Sequence, residues 1–247
     1  MTDVLHGWQR SSFAAAGFER DVYRRGVGPG VIVIHEIPGI TPKVTAFANE
    51  VVAAGFTVLM PSLVGTPGKD LSAGYGASSM VKVCVAREFA TWALHETSPI
   101  IGWLRALARN LHNELGGAGV GAVGMCFSGG FALAMMVDDF MIAPVLSQPS
   151  LPFALGKERG ADLNLSPDDA LAVARRAAEG CQVLGLRFAG DRLVGTRFQT
   201  LRDLLGEAFI AVELPSASSR DHSVLTEQRD ELSVQRVLQF FQEKLQA

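Results

Sequence analysis

Cys126 lies where the sequence changes from strand character to helix character. Residues 120–124 are small or β-branched, and an apolar helical segment begins at Phe131. Gly124 stands two residues before the cysteine and Ser128 two residues after it. Small residues at these positions are typical of a nucleophile elbow, a tight strand–turn–helix that leaves a reactive side chain exposed above a sheet. There the helix dipole would favour a thiolate, and backbone N–H groups would be free to bind an oxyanion.

Three other interpretations of this segment stay open. Ser128 is flanked by Cys126 and Gly130 at the same spacing, so a serine nucleophile is one alternative. The glycines of residues 119–124 also match the spacing of a dinucleotide-binding loop, but they follow a helical pattern, whereas such a loop must follow a strand. A buried structural cysteine is the third alternative, because free cysteine is among the most buried residue types.

Composition narrows the class of protein. The chain has 247 residues, with 48% hydrophobic and 19% charged residues, which suits a globular enzyme. The net charge of −3 and the lack of a basic block give no reason to expect nucleic acid or an anionic membrane as a partner. No signal-like segment and no run of about 18 apolar residues is found. Three cysteines at unrelated spacings predict free thiols in a reducing cytoplasm.

Short apolar runs alternate with helical patterns along the chain. Thr41 and Pro42 are typical of a helix start after the β-branched run at residues 31–34. The alternation predicts an α/β fold with one doubly wound, mostly parallel sheet and flanking helices, in a single domain of residues 1–247. A hairpin is expected within residues 8–25. Residues 62–80 are interpreted as a loop and 80–94 as a helix, so residues 62–98 form a possible lid or cap.

Four reactive side chains follow predicted strands. They are Glu36, Cys126, Asp191 and His222. In an open parallel sheet the carboxyl ends of the strands form the binding site, so these side chains are expected to converge. The order nucleophile, acid, histidine is that of α/β-hydrolases. Cys126 would attack an acyl carbon, His222 would carry the proton, and Asp191 would orient the imidazole.

The backbone N–H groups of Phe127 and Ile37 are the expected oxyanion donors. Each acidic residue and the histidine could instead have no catalytic role. Asp191 could be a turn residue, His222 a solvated loop histidine, and Glu36 a solvated or paired carboxylate.

Two neighbouring residues compete for roles in this predicted site. His35 competes as the active-site histidine but precedes the centre of the sheet. Asp221 is adjacent to the histidine and would point away from it.

These motifs resemble the dienelactone hydrolase family, also called carboxymethylenebutenolidases, of the α/β-hydrolase superfamily. The matching segments are residues 31–39, 61–63, 124–130, 190–191 and 222–223. The resemblance implies the α/β-hydrolase fold and a triad of Cys126, His222 and Asp191. It also implies that Glu36 contacts the resting thiol and is displaced by substrate. The implied reaction is the ring-opening hydrolysis of an enol-lactone.

The chain departs from the family pattern at two motif positions. Ser128 replaces the glycine that usually follows the nucleophile by two residues, and a small side chain still fits the turn. Thr226 replaces an arginine, four residues after the histidine, that binds the substrate carboxylate. A lost arginine removes bidentate carboxylate recognition, so a neutral lactone or ester becomes an alternative to dienelactone.

Candidate substrate contacts come from the possible lid and from one further loop. Phe89 and Trp92 resemble an aromatic pair of the family, and Tyr75 is a further candidate. Arg87 lies near this pair but displaced from the family position. Arg87 or Arg220 would hold an anionic substrate if there is one.

The sequence thus predicts a cytoplasmic hydrolase of small lactones or esters, either a monomer or a small homo-oligomer. No metal-binding motif is found and no cofactor is expected. A catalytically silent binding protein on the same fold is the alternative from another functional class.

Overall fold

A single mixed sheet organises the chain. The computed structural model describes residues 4–89, 94–151, 156–218 and 220–246. Within these ranges the strands are β1 (Gln9–Ala15), β2 (Phe18–Arg25), β3 (Gly30–Ile34), β4 (Thr57–Pro61), β5 (Val120–Met125), β6 (Met141–Ser147), β7 (Val183–Phe188) and β8 (Phe209–Leu214). They form an eight-stranded sheet in the order β1-β2-β4-β3-β5-β6-β7-β8.

The sheet is antiparallel at one edge and parallel elsewhere. The hairpin β1–β2 pairs antiparallel, and β2 pairs antiparallel with β4. All later pairings, from β3–β4 to β7–β8, are parallel. The predictions of an edge hairpin and a mostly parallel α/β sheet are confirmed. Because these strands are parallel, the carboxyl ends of β3, β5, β7 and β8 lie at the same end of the sheet.

Helices cover both faces of the sheet. They are α1 (Pro42–Ala53), α2 (Ala73–Val85), α3 (Ile100–Leu115), α4 (Gly129–Met135), α5 (Lys157–Ala161), α6 (Pro167–Ala178), α7 (Arg197–Leu205) and α8 (Glu231–Leu245). α1 begins as the sequence predicts, because the side chain of Thr41 accepts a hydrogen bond from the backbone N–H of Val44 at 3.3 Å.

Alternate residues of the buried strands pack into two separate hydrophobic cores. Ile32 and Ile34 pack with α3, α4, α6 and α7, whereas Val31 and Val33 pack with α1 and α8. This alternation is the period of a strand buried on both faces. All five residues of β3 are buried, which makes the end of this strand a rigid base for the loop that carries Glu36.

One helix differs from the prediction. α2 begins at Ala73, within the predicted loop, and ends at Val85, before the end of the predicted helix. The side chain of Ser72 caps α2 by accepting from the backbone N–H of Tyr75 at 3.3 Å. α5 is a short helix between β6 and α6. Among the described residues, no helix combines the length and the apolar character that crossing a bilayer requires.

Candidate active site

Cys126 occupies a strained turn between β5 and α4. Its φ is +56°, in the left-handed region that a side chain with a Cβ seldom adopts. Gly124 permits the turn, because a Cβ there would overlap the carbonyl oxygen of Ser128. Gly129 is equally constrained, since a Cβ would lie 2.6 Å from the Cα of Pro149. The local geometry is that of a nucleophile elbow, with Cys126 at its apex and partly exposed.

Ser128 serves the structure of this turn. Its side chain is fully buried, and its Oγ accepts from the backbone N–H of Met125 at 2.9 Å. The hydroxyl lies 3.1 Å from the carbonyl oxygens of both Ile34 and His35 and 3.0 Å from that of Met125. The hydroxyl proton is therefore directed at the backbone, and the geometry argues against the alternative of a serine nucleophile.

Buried Asp191 and partly buried His222 form a hydrogen-bonded pair that interacts with Cys126. Nδ1 of His222 donates to Oδ2 of Asp191 at 2.7 Å, and the aspartate side chain is 2% exposed. The other carboxylate oxygen accepts from the backbone N–H of Leu193 at 2.9 Å, which fixes its orientation. Asp221 instead accepts from its own loop, at the backbone N–H of Ala217 and Ser218. The structure thus brings together the three residues whose order suggested a triad.

Nε2, the other ring nitrogen of His222, is buried, and the ring interacts with Cys126. Burial lowers the pKa of His222, but the charge of a Cys126 thiolate and the hydrogen bond to Asp191 outweigh burial and hold that pKa well above its usual range. The arrangement can therefore hold a proton on the imidazole.

Ser150 is a contact of the sulfur that the sequence did not indicate. Its Oγ donates to the Sγ of Cys126 at 3.3 Å, and its backbone N–H donates to the Cys126 carbonyl at 3.0 Å. Ser150 lies three residues beyond the end of β6, at the carboxyl end of the parallel strands, where the other reactive residues also lie. This position is the feature of the sequence that could have indicated a role for Ser150, since binding sites form at that end of a parallel sheet.

Glu36 does not contact the cysteine in the way that the resemblance implies. One carboxylate oxygen accepts from the hydroxyl of Thr226. The other accepts from Ser223 Oγ at 2.7 Å and from Gln148 Nε2 at 3.2 Å. These donors hold the carboxylate against the loop that carries His222. Glu36 therefore contacts this loop, and the expected contact with the resting thiol is not made.

Burial has the largest influence on the pKa of Glu36. The residue is 5% exposed, and desolvation raises its pKa although the hydroxyls of Thr226 and Ser223 partly oppose the shift. Gln148 also receives a hydrogen bond from the backbone N–H of Val224 at 3.4 Å. Glu36 and Gln148 therefore fasten the histidine loop to the ends of β3 and β6.

The two expected oxyanion donors belong to the elbow and to the loop after β3. Phe127 directly follows the nucleophile, and Ile37 lies in the loop after β3. The backbone N–H of Ile37 donates no hydrogen bond among the described residues. His35 is fully buried, and both ring nitrogens are used by backbone groups, so it is not available as the active-site histidine.

The residues predicted to contact substrate differ in their burial and in their partners. Phe89 is 2% exposed and packs edge-on against Phe127 with ring centroids 5.6 Å apart, so it supports the elbow from the core. The hydroxyl of Tyr75 is bonded to the backbone of Thr66. Arg87 is exposed on a short 3-10 turn, and Arg220 is exposed in the loop before His222. Trp92 lies outside the described residues.

The dienelactone hydrolase family model matches residues 21–147, just over half of the chain. A dienelactone hydrolase-like promiscuous phosphotriesterase from metagenomic libraries shares the fold with a TM-score of 0.66 at 18% identity, over 96% of this chain and 98% of that chain. A cold-adapted esterase from an Arctic intertidal metagenomic library has a TM-score of 0.62 at 13% identity, with coverage of 96% and 94%. No curated protein matches the chain. At such identities the structural likeness is one of fold.

Proposed function

This chain belongs to the dienelactone hydrolase family and is a hydrolase of carboxylic esters or lactones, and we propose that Cys126 is its nucleophile. The observation that carries the proposal is the pair of Asp191 and His222, joined at 2.7 Å, whose other ring nitrogen is buried and whose ring interacts with Cys126. A histidine held in this way can take the thiol proton and later return it. Ser150 supports the same assignment by donating to the sulfur.

The first half of the reaction forms a thioester. The thiolate of Cys126 attacks the carbonyl carbon, and the carbonyl oxygen becomes an oxyanion that the N–H groups of Ile37 and Phe127 bind. When the tetrahedral intermediate collapses, the bond from carbon to the alcohol oxygen breaks. His222 gives its proton to that oxygen, which leaves as an alcohol, or stays tethered as a hydroxyl if the substrate is a lactone.

The second half of the reaction consumes water. His222, now neutral, takes one proton from a water molecule that attacks the thioester carbon. The carbon–sulfur bond then breaks, the acid is released and the sulfur leaves as a thiolate beside a protonated imidazole. Asp191 stabilises that positive charge in both halves, so the resting pair is restored without any cofactor.

A neutral substrate fits the residues around the site. Thr226 occupies the position of the family arginine, is 4% exposed, and directs its hydroxyl at Glu36. It therefore offers no cation to a carboxylate. We expect a neutral p-nitrophenyl ester to be hydrolysed with a higher kcat/KM than the same ester with a carboxylate on its acyl group. The reverse preference, lost in Arg87→Ala or Arg220→Ala, would instead assign an anionic substrate.

The reducing cytoplasm is the proposed location. Cys84, Cys126 and Cys181 form no disulfide with any described residue, and catalysis requires Cys126 to stay reduced.

The test is the hydrolysis of p-nitrophenyl acetate and of a dienelactone by the wild type and by Cys126→Ala. We expect the substitution to lower kcat by about a thousandfold or more. Cys181→Ala is the matched control, because it makes the same change at a buried cysteine whose sulfur hydrogen-bonds to backbone carbonyls of β6, away from the proposed site. Activity of Cys126→Ala equal to that of the wild type would overturn the assignment. A chain with no turnover of any ester would favour the silent binding protein.

A further inference from the structure

His35 has one defined tautomer in the fold. Its Nε2 lies 3.0 Å from the backbone N–H of Leu63 and 3.4 Å from that of Val64, and both of these groups are donors only. Nε2 must therefore accept, and the ring proton resides on Nδ1. Nδ1–H then donates to the carbonyl oxygen of Glu36 at 2.8 Å. Burial lowers the pKa of His35 to about 4, which keeps the ring neutral at ordinary pH.

The acceptor of this bond shares a peptide unit with an expected oxyanion donor. The carbonyl of Glu36 and the N–H of Ile37 belong to one planar trans peptide, in which the two groups point in opposite directions. A donor that fixes the carbonyl on one side therefore fixes the direction of the N–H on the other side. The N–H of Ile37 has no hydrogen-bond partner among the described residues. An unpaired N–H held in one direction is what an oxyanion site requires.

His35 also contacts the elbow. Its ring lies 6.2 Å, between centroids, from the ring of Phe127, whose backbone N–H is the other expected donor. The hydroxyl of Ser128 lies 3.1 Å from the carbonyl oxygen of His35. His35 thus sits between the loop after β3 and the turn that carries Cys126, in contact with residues of both.

We propose that His35 is a positioning residue that orients the Glu36–Ile37 peptide so that the N–H of Ile37 points at the oxyanion. This inference deepens the proposed function and rests on it. His35 touches neither the nucleophile nor the substrate, and it acts through the peptide plane. The role follows from the tautomer of His35 and the geometry of the trans peptide.

Two substitutions separate the two hydrogen bonds of the ring. The amide of His35→Asn can place an N–H where Nδ1–H stands, so it retains a donor to the Glu36 carbonyl. The amide oxygen of His35→Gln can stand where Nε2 is, so it retains an acceptor for Leu63 but loses the donor. We expect His35→Gln to lower kcat about tenfold to a hundredfold with little change in KM, and His35→Asn to retain kcat within a few-fold.

Alkylation of Cys126 by iodoacetamide gives a readout that a damaged fold would move and a misdirected N–H would not. Alkylation forms no oxyanion, so the rate should match the wild type in both variants, while kcat falls in His35→Gln alone. Equal kcat in the two variants, or a loss in His35→Gln that alkylation and thermal melting share, would overturn the positioning role. Cys126→Ala distinguishes this failure from that of the proposed function, because its full activity would exclude the nucleophile itself.

Discussion

Asp191 and Glu36 are two acidic residues that are equally buried, each with 5% of the whole residue exposed, and they have different partners. Asp191 accepts from an imidazole that can carry a positive charge. Within the described part of the chain, Glu36 accepts from two hydroxyls and an amide, which are neutral. Burial penalises a carboxylate unless a counter-charge or strong donors compensate, and burial raises the pKa of Glu36. At equal depth, a partner that can carry charge suits Asp191 to its proposed catalytic role, whereas neutral partners suit Glu36 to holding loops together.

The largest effect is expected from Asp191→Asn. The amide carries no charge to stabilise the imidazolium, and it can turn its own N–H towards Nδ1 and select the wrong tautomer of His222. We expect kcat for p-nitrophenyl acetate to fall by about a thousandfold or more, while thermal stability changes little. Steady-state kinetics with circular dichroism melting measure both. A loss of less than tenfold would place Asp191 with Glu36 as a structural acid.

A smaller effect on catalysis is expected from Glu36→Gln, which retains the shape and most of the hydrogen bonds of the carboxyl group. We expect kcat to change by about tenfold or less, since the N–H groups and the triad stay in place. Glu36→Gln with a loss as large as that of Asp191→Asn would mean that this carboxylate acts directly in the reaction.

The same substitution should change the pH dependence of stability. The folded pKa of Glu36 is raised, so its contribution to the free energy of unfolding is fully present below the unfolded pKa of about 4.3 and is lost as pH rises through the folded pKa. Above about pH 4.3 the wild type should lose up to about 1.4 kcal/mol per pH unit relative to Glu36→Gln. Urea denaturation between pH 4 and 8 measures this difference. A difference that is constant with pH would contradict the shift.

The smallest effect is expected from Thr226→Val. Valine has the shape of threonine without the hydroxyl, so Glu36 loses one donor while Ser223 and Gln148 remain. The free energy of unfolding should fall by about 1 kcal/mol, and kcat should stay within a few-fold of the wild type. Urea denaturation of Thr226→Val beside Ser223→Ala, which removes the other hydroxyl, measures each donor. No change in either variant would mean that the cluster does not fasten the two loops.

Much of the sheet follows from the sequence, because local patterns decide it. The β-branched run of β3, the Thr41–Pro42 start of α1 and the glycine-bounded turn at Cys126 are each set by neighbouring residues. α2 was misplaced because Gly74, Gly76 and the serines beside them are poor helix formers, and Ser72 capping together with packing outweighs that propensity.

The candidate site was predictable in its members and less so in its contacts. Strand ends and residue order suffice to bring Cys126, Asp191 and His222 together. The partners of Glu36 are 112 to 190 residues away along the chain, and no local pattern signals which loop its side chain will meet. The sequence does not predict the contact of Ser150 with Cys126 for the same reason, since the two residues are 24 positions apart and the contact depends on the path of the chain after β6.

The most direct test of the central claim is to find where the acyl group resides during turnover. Wild type and Asp191→Asn would be quenched in acid while hydrolysing p-nitrophenyl acetate, digested and mapped by mass spectrometry. We expect one acetyl group on the Cys126 peptide, labile to hydroxylamine as a thioester is, with Cys84 and Cys181 unmodified because both are buried. An acetyl group on Ser128, or turnover with no covalent intermediate on Cys126 in either protein, would contradict it.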